Sequence, residues 1–123
     1  MKMELLTESD FRRLSNPGVV SEQLLSPHNS VSTRATITRV TVEVGVSQPR
    51  HAHENSEQIW IALAGSGILL LAGEDTRPFK AGQVARFADR EVHGLDNTGV
   101  EPFVYLSVTA PPINFDNAYR TKS

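Results

Sequence analysis

The chain has 123 residues, a formal net charge of −2 and no cysteine. That length suits one domain that buries a core without disulfide or metal staples, and the missing thiols exclude disulfides, zinc–thiolate sites and thiol catalysis. The balanced charge, with no basic cluster larger than Arg12–Arg13, argues against nucleic acid or an anionic membrane as partner, because both demand concentrated Lys and Arg.

Met1 to Asp10 holds a Lys, then acidic residues, and no apolar stretch, so no signal peptide is expected and the protein reads as soluble and cytoplasmic. Thr7-Glu8-Ser9-Asp10 ahead of Phe11 predicts a short capped helical turn, which Asn16-Pro17-Gly18 stops. No helical period follows. Val31 to Val46 is rich in Val, Ile and Thr and alternates, which predicts a strand. Gln58 to Leu63 and Ile68 to Ala72 are apolar strands on either side of Gly65-Ser66-Gly67. Ile59 to Gly73 carries no charge, but it is shorter than the ~20 apolar residues that span a bilayer, and the glycines break it. Thr76 to Lys80, Gln83 to Ala88, Val92 to Asp96 and Pro102 to Thr109 complete the series, each bounded by turn residues. Many short strands with a turn between each predict an all-β jelly roll or barrel. The expected organisation is one domain over residues 1–123: an N-terminal arm 1–30, a barrel core of about 31–108 and a tail 110–123 in which Phe115 and Tyr119 lie along the outside or on a partner.

Of the four histidines, His28 beside Pro27 reads as an exposed loop residue. His51 and His53 are two apart after Pro49, in a context that disfavours helix. On a strand, residues i and i+2 share a face about 6–7 Å apart, so both rings can converge on one ion. Glu57 or Gln58 follows at the start of the next strand, and His93 lies far along the chain before another turn. Without sulfur, any metal must be held by nitrogen and oxygen.

These residues resemble the two motifs of the cupin superfamily. The first is matched at Gly45-x5-His51-x-His53 and closes at Gly65; the second at Gly82-x5-Ala88-x-Arg90-x2-His93-x3-Asn97. The chain departs from the pattern at Ala88, where the family has Pro, and at Arg90, where it has Gly. The resemblance implies a double-stranded β-helix, a jelly-roll barrel, with one divalent transition metal ion (Fe, Mn, Ni, Co, Cu or Zn) held by His51, His53 and His93. The family's Glu falls on Gln58 counting back from Gly65, and on Glu57 counting forward from His53. Adjacent strand residues face opposite sides, so only one of the two points inward. Gln58 is favoured, with Glu57 as the alternative.

Alternation nominates Trp60, Phe87 and Tyr105 for the pocket, with Arg39 as a further candidate. Trp60 and Phe87 serve equally well as barrel filling, and Arg39 as a solvated strand residue. Tyr105 and Glu57 are the candidate proton-transfer groups. The resemblance implies a small-molecule ligand and, first, dioxygenase chemistry; a non-redox metal-dependent lyase, cyclase or isomerase and a non-catalytic module that binds a small molecule or sugar are the alternatives. Sheet edges left by the N-terminal segment and the Val31–Val46 strand predict a homodimer.

Overall fold

Two antiparallel sheets lie face to face in a computed structural model that describes residues 3–113 and, as backbone, 121–122. The strands are β1 (Arg12–Asn16), β2 (Val19–Leu25), β3 (Thr36–Val42), β4 (Ser47–His51), β5 (Glu57–Ala64), β6 (Ser66–Leu71), β7 (Thr76–Lys80), β8 (Val84–Phe87), β9 (His93–Asp96), β10 (Phe103–Ala110) and β11 (Thr121–Lys122). One sheet has seven strands in the order β11-β1-β2-β3-β10-β5-β8, the other four in the order β4-β9-β6-β7. Short 3₁₀ turns occur at Glu8–Asp10 and Ala72–Glu74.

The period-2 pattern builds the large sheet. Thr36, Thr38, Val40 and Val42 on β3 and Phe103, Tyr105, Ser107 and Thr109 on β10 are buried, and their neighbours are half-exposed. On β5 the buried phase is Gln58, Trp60 and Ala62. Of these, Val40, Val42, Trp60, Ala62, Phe103 and Tyr105 meet Leu69, Phe79 and Leu95 of the small sheet in one apolar cluster. Each fully buried large apolar side chain contributes about 1.5–3 kcal/mol. The interior is therefore graded: Val42 and Phe103 fill one end, and polar groups collect at the other.

Two expectations are corrected. Within the stretch 1–30 expected as an arm, residues 12–25 belong to the large sheet: the helical turn gives way to the β1–β2 hairpin, in register from Arg12↔Gln23 to Asn16↔Val19. Arg12 to Asn16 has no β-branched residue, so its extended form comes from pairing rather than propensity. The long Val31–Val46 strand contracts to Thr36–Val42 and is no edge, because β2 pairs with one side of it and β10 with the other. Phe115 and Tyr119 lie outside the described residues.

One glycine sets the spacing between β4 and β9. A Cβ at Gly94 would stand 2.7 Å from the Gln48 carbonyl oxygen and 3.0 Å from the Pro49 carbonyl carbon. Only glycine lets β4 lie this close to β9, beside His93.

Candidate metal centre

His51 ends β4, His53 follows two residues later, and His93 opens β9. The β4–β9 pairing sets His51 opposite His93. Ring centroids are 5.0 Å apart for His51–His53, 4.4 Å for His51–His93 and 5.3 Å for His53–His93. One nitrogen from each ring lies within 4.8 Å of the others. His51 is exposed, His53 half-buried and His93 buried, so the cluster runs from the surface inward.

The rings are held from behind. Nδ1 of His51 lies 2.9 Å from the Pro49 carbonyl oxygen, and Nδ1 of His93 lies 2.9 Å from that of Glu91. The Pro49 carbonyl only accepts, so His51 presents a protonated Nδ1 to it and turns its Nε2 lone pair outward, and the Glu91 carbonyl offers the same kind of acceptor to His93 Nδ1. The Arg90 amide donates to the His53 carbonyl at 2.6 Å. Arg90 keeps the positive φ of 64° that the family's glycine would supply, so the departure changes the side chain but not the backbone. Phe87 stacks on His93 at 4.4 Å and 11°. Burial, foremost, with the neighbouring His51 and His53 charges, pushes the His93 pKa down to about 4, against an opposing hydrogen bond to Glu91. Burial, then the His51 charge, lowers that of His53 as well.

Gln58 faces this cluster. Its Nε2 donates to Thr109 Oγ1 at 2.9 Å, and its Oε1 accepts from Trp60 Nε1 at 3.1 Å. An indole N–H only donates, which fixes the amide orientation. The same Oε1 lies 3.1 Å from Nε2 of His93. A neutral His93 can give its one proton to only one of its two acceptors, the Glu91 carbonyl or Gln58 Oε1, and a cation at Nε2 would leave that proton for Glu91. Three neutral imidazoles and one neutral amide, from three chain segments, fit a divalent ion with room for ligand oxygens.

The cavity next to these groups measures about 330 Å³. His51, His53, Gln58, Trp60 and Tyr105 line it, together with Asn16, Pro17, Val19, Ser21, Thr38, Val40, Ser47, Gln48, Pro49 and Ser107. Trp60 stacks on Tyr105 at 4.3 Å, and the Tyr105 hydroxyl donates to Gln48 Oε1 at 2.9 Å.

Three candidates belong elsewhere. Arg39 is on the outward phase of β3, donating to Glu22 Oε1 from Nε and Nη2 at 3.1 and 2.9 Å. Glu57 is on the outward phase of β5, with Arg86 Nε at 2.6 Å from its Oε1. It is offered neither to the metal nor to the cavity. Phe87 is buried behind His93 and is not among the cavity-lining residues. His28 is exposed, as expected, and contacts Arg12.

Sequence reasoning missed Thr38, Ser107 and Thr109, which the inward phase of β3 and β10 could have supplied. It also missed Gln48, and Asn16 to Ser21, for which no sequence signal pointed inward. Asn97, matched in the second motif, pins the turn after β9: its Nδ2 donates to the Val42 and Glu101 carbonyls, and its Oδ1 accepts from the Gly99 amide.

Comparison with known proteins agrees with this geometry. Residues 38–109 match the sequence model of the family described as "Cupin domain". A Thermotoga maritima protein named "oxalate-binding protein" is 32% identical over 85 residues, 69% of this chain and 69% of that one. A crystal structure of a predicted oxalate decarboxylase from the same organism superposes with a TM-score of 0.73 at 28% identity, over 89% of this chain and 100% of that one. The polyketide cyclase RemF from Streptomyces resistomycificus gives 0.77 at 20% identity, over 90% and 81%, a likeness of fold.

Proposed function

The chain belongs to the cupin family, and on that premise we propose that His51, His53, His93 and Gln58 hold one divalent transition metal ion to which a small chelating oxygen ligand, a carboxylate or enolate, binds. The observation that carries this reading is the convergence of one nitrogen from each of His51, His53 and His93 within 4.8 Å, with Gln58 Oε1 3.1 Å from His93 Nε2. When bound, the ion supplies Lewis acidity toward a ligand oxygen.

The protein's residues supply the rest. Carbonyls behind His51 and His93 keep Nε2 available. Trp60 holds the Gln58 oxygen forward and, with Tyr105, makes a flat apolar wall that excludes water from one side. Among the described residues that line the cavity, Tyr105 carries the one phenolic proton and is the candidate for proton transfer. A neutral amide where a carboxylate would cancel charge leaves the site net positive with metal, which suits an anionic ligand and favours the non-redox reading: lyase, cyclase or isomerase. The named relatives in Thermotoga maritima support a small carboxylate as the ligand type. Dioxygenase chemistry at the same sulfur-free site is the competing reading.

Elemental analysis of purified protein should find about one ion per chain, and a panel of carboxylates and diketones should bind or turn over equally well in air and without oxygen. Oxygen uptake with substrate would move the assignment to a dioxygenase, and binding without conversion to a sensing module. A chain that takes up none of Fe, Mn, Co, Ni, Cu or Zn overturns the proposal. We further propose a homodimer, formed through the outer face of the large sheet rather than through an edge.

A further inference from the structure

Cavity size and lining say more about the ligand than the metal donors do. At about 330 Å³ the cavity holds roughly ten water-sized groups. A dianion as small as oxalate, placed on the ion, would leave much of that volume to water. Among the described residues that line the cavity there is no Asp, Glu, Lys or Arg. The end of the ligand remote from the imidazoles therefore meets no charge to pair with.

It meets hydroxyls instead. Thr38 and Ser107 are cross-strand partners on the inward faces of β3 and β10, and both line the cavity. Ser21 lines it from β2, one inward position further along. Among the described residues, none of these three hydroxyls makes a hydrogen bond to the protein, although each can donate once and accept. Gln23 continues the row as the partner of Thr38 on the other side. It is 6% exposed, and its Oε1 is buried with no hydrogen-bond partner. Gln23 does not itself line the cavity, and its buried acceptor calls for an ordered water behind the row rather than for the ligand. The same row ends at Trp60, opposite Ser107 across β10–β5. A polar row abutting an aromatic face matches a chain that carries hydroxyls on its edge and C–H groups on its face.

We propose that Thr38, Ser107 and Ser21 bind the uncharged, hydroxyl-bearing tail of a carboxylic acid whose acid end lies at His51, His53, His93 and Gln58, so that the ligand class is a hydroxylated monocarboxylate longer than oxalate. This rests on the metal-centred reading above. The test is isothermal titration of the metal-loaded protein with gluconate and with 2-hydroxyhexanoate. Both acids chelate through carboxylate and neighbouring hydroxyl, and they differ in the hydroxyls of the tail.

The native protein is expected to favour gluconate by about tenfold or more, the worth of one or two satisfied hydrogen bonds. In Thr38→Val/Ser107→Ala the preference collapses toward unity at unchanged metal content. In Thr38→Ser, which keeps a hydroxyl, it persists, so a loss in the double variant cannot be charged to misfolding. A metal-loaded native protein without preference, or a double variant that keeps it, overturns the tail site alone. A chain that takes up no metal, seen by elemental analysis before any acid is added, overturns both readings.

Discussion

At the residue scale the decisive comparison is between neighbours. Gln58 and Glu57 are adjacent on β5, and the pleat sends one to the imidazoles and the other to Arg86. Gln58→Leu removes an oxygen donor and strands the Trp60 N–H, so metal affinity should fall by about tenfold to a hundredfold in chelator competition. Glu57→Gln should leave affinity unchanged and cost at most about 1 kcal/mol, because it breaks only a surface ion pair. The reverse ranking would reinstate Glu57. That Gln58 takes the inward phase could be read from its spacing to Gly65; its role as a ligand is the proposal that this pair of variants tests. Arg39, weighed both as a pocket group and as a solvated strand residue, is the latter, with Glu22 as its partner.

His93 makes a second residue-scale prediction. Its pKa, about 4 in the fold, lies below the 6.5 of a free imidazole, so the unfolded chain takes up the proton first. Stability of the metal-free protein should therefore be full above about pH 6.5 and decline as pH falls toward about 4, with a slope of up to ~1.4 kcal/mol per pH unit. His53 adds in the same direction. Urea midpoints that stay constant from neutral pH to about pH 4.5 would contradict this.

At the element scale, the site depends on how near β4 can approach β9. Gly94→Ala puts a methyl against the Gln48 carbonyl at 2.7 Å, an overlap that backbone must absorb. The expected result is a loss of about 1–3 kcal/mol and a weakened metal site, since His51 moves with β4. A variant with native stability and native metal affinity would show that β4 does not position His51. Strands β3, β5, β6, β7, β8, β9 and β10 could be read from alternation and turn residues. The hairpin β1–β2 was not read, because β1 has no β-branched residue and takes its extended form by pairing with β2, which pairs in turn with β3.

At the scale of the whole molecule, the outer face of the large sheet is unusually apolar. Ile37, Ile59, Ile61, Leu106 and Val108 occupy its outward phase, and Leu63 and Val84 are 47% and 63% exposed. Its charged groups are largely neutralised in the Glu22–Arg39 and Glu57–Arg86 pairs. Such a face suits a second copy. Light scattering should give twice the chain mass for the native protein and the single mass for Ile61→Glu; a native monomer would rule the pairing out. The barrel itself was legible because two motifs with their turn glycines and three histidines fall in the right order. The ligand was not, because cavity shape depends on side chains that carry no motif.

The hairpin that supplies Asn16, Pro17, Val19 and Ser21 to the cavity lies outside residues 38–109, the stretch shared with the family. The proposed metal donors lie inside that stretch, and part of the cavity wall lies outside it. A change in this hairpin would alter what the cavity admits while every proposed donor atom stays where it is. Exchanging residues 12–25 between two members of the family is the natural way to transplant ligand preference.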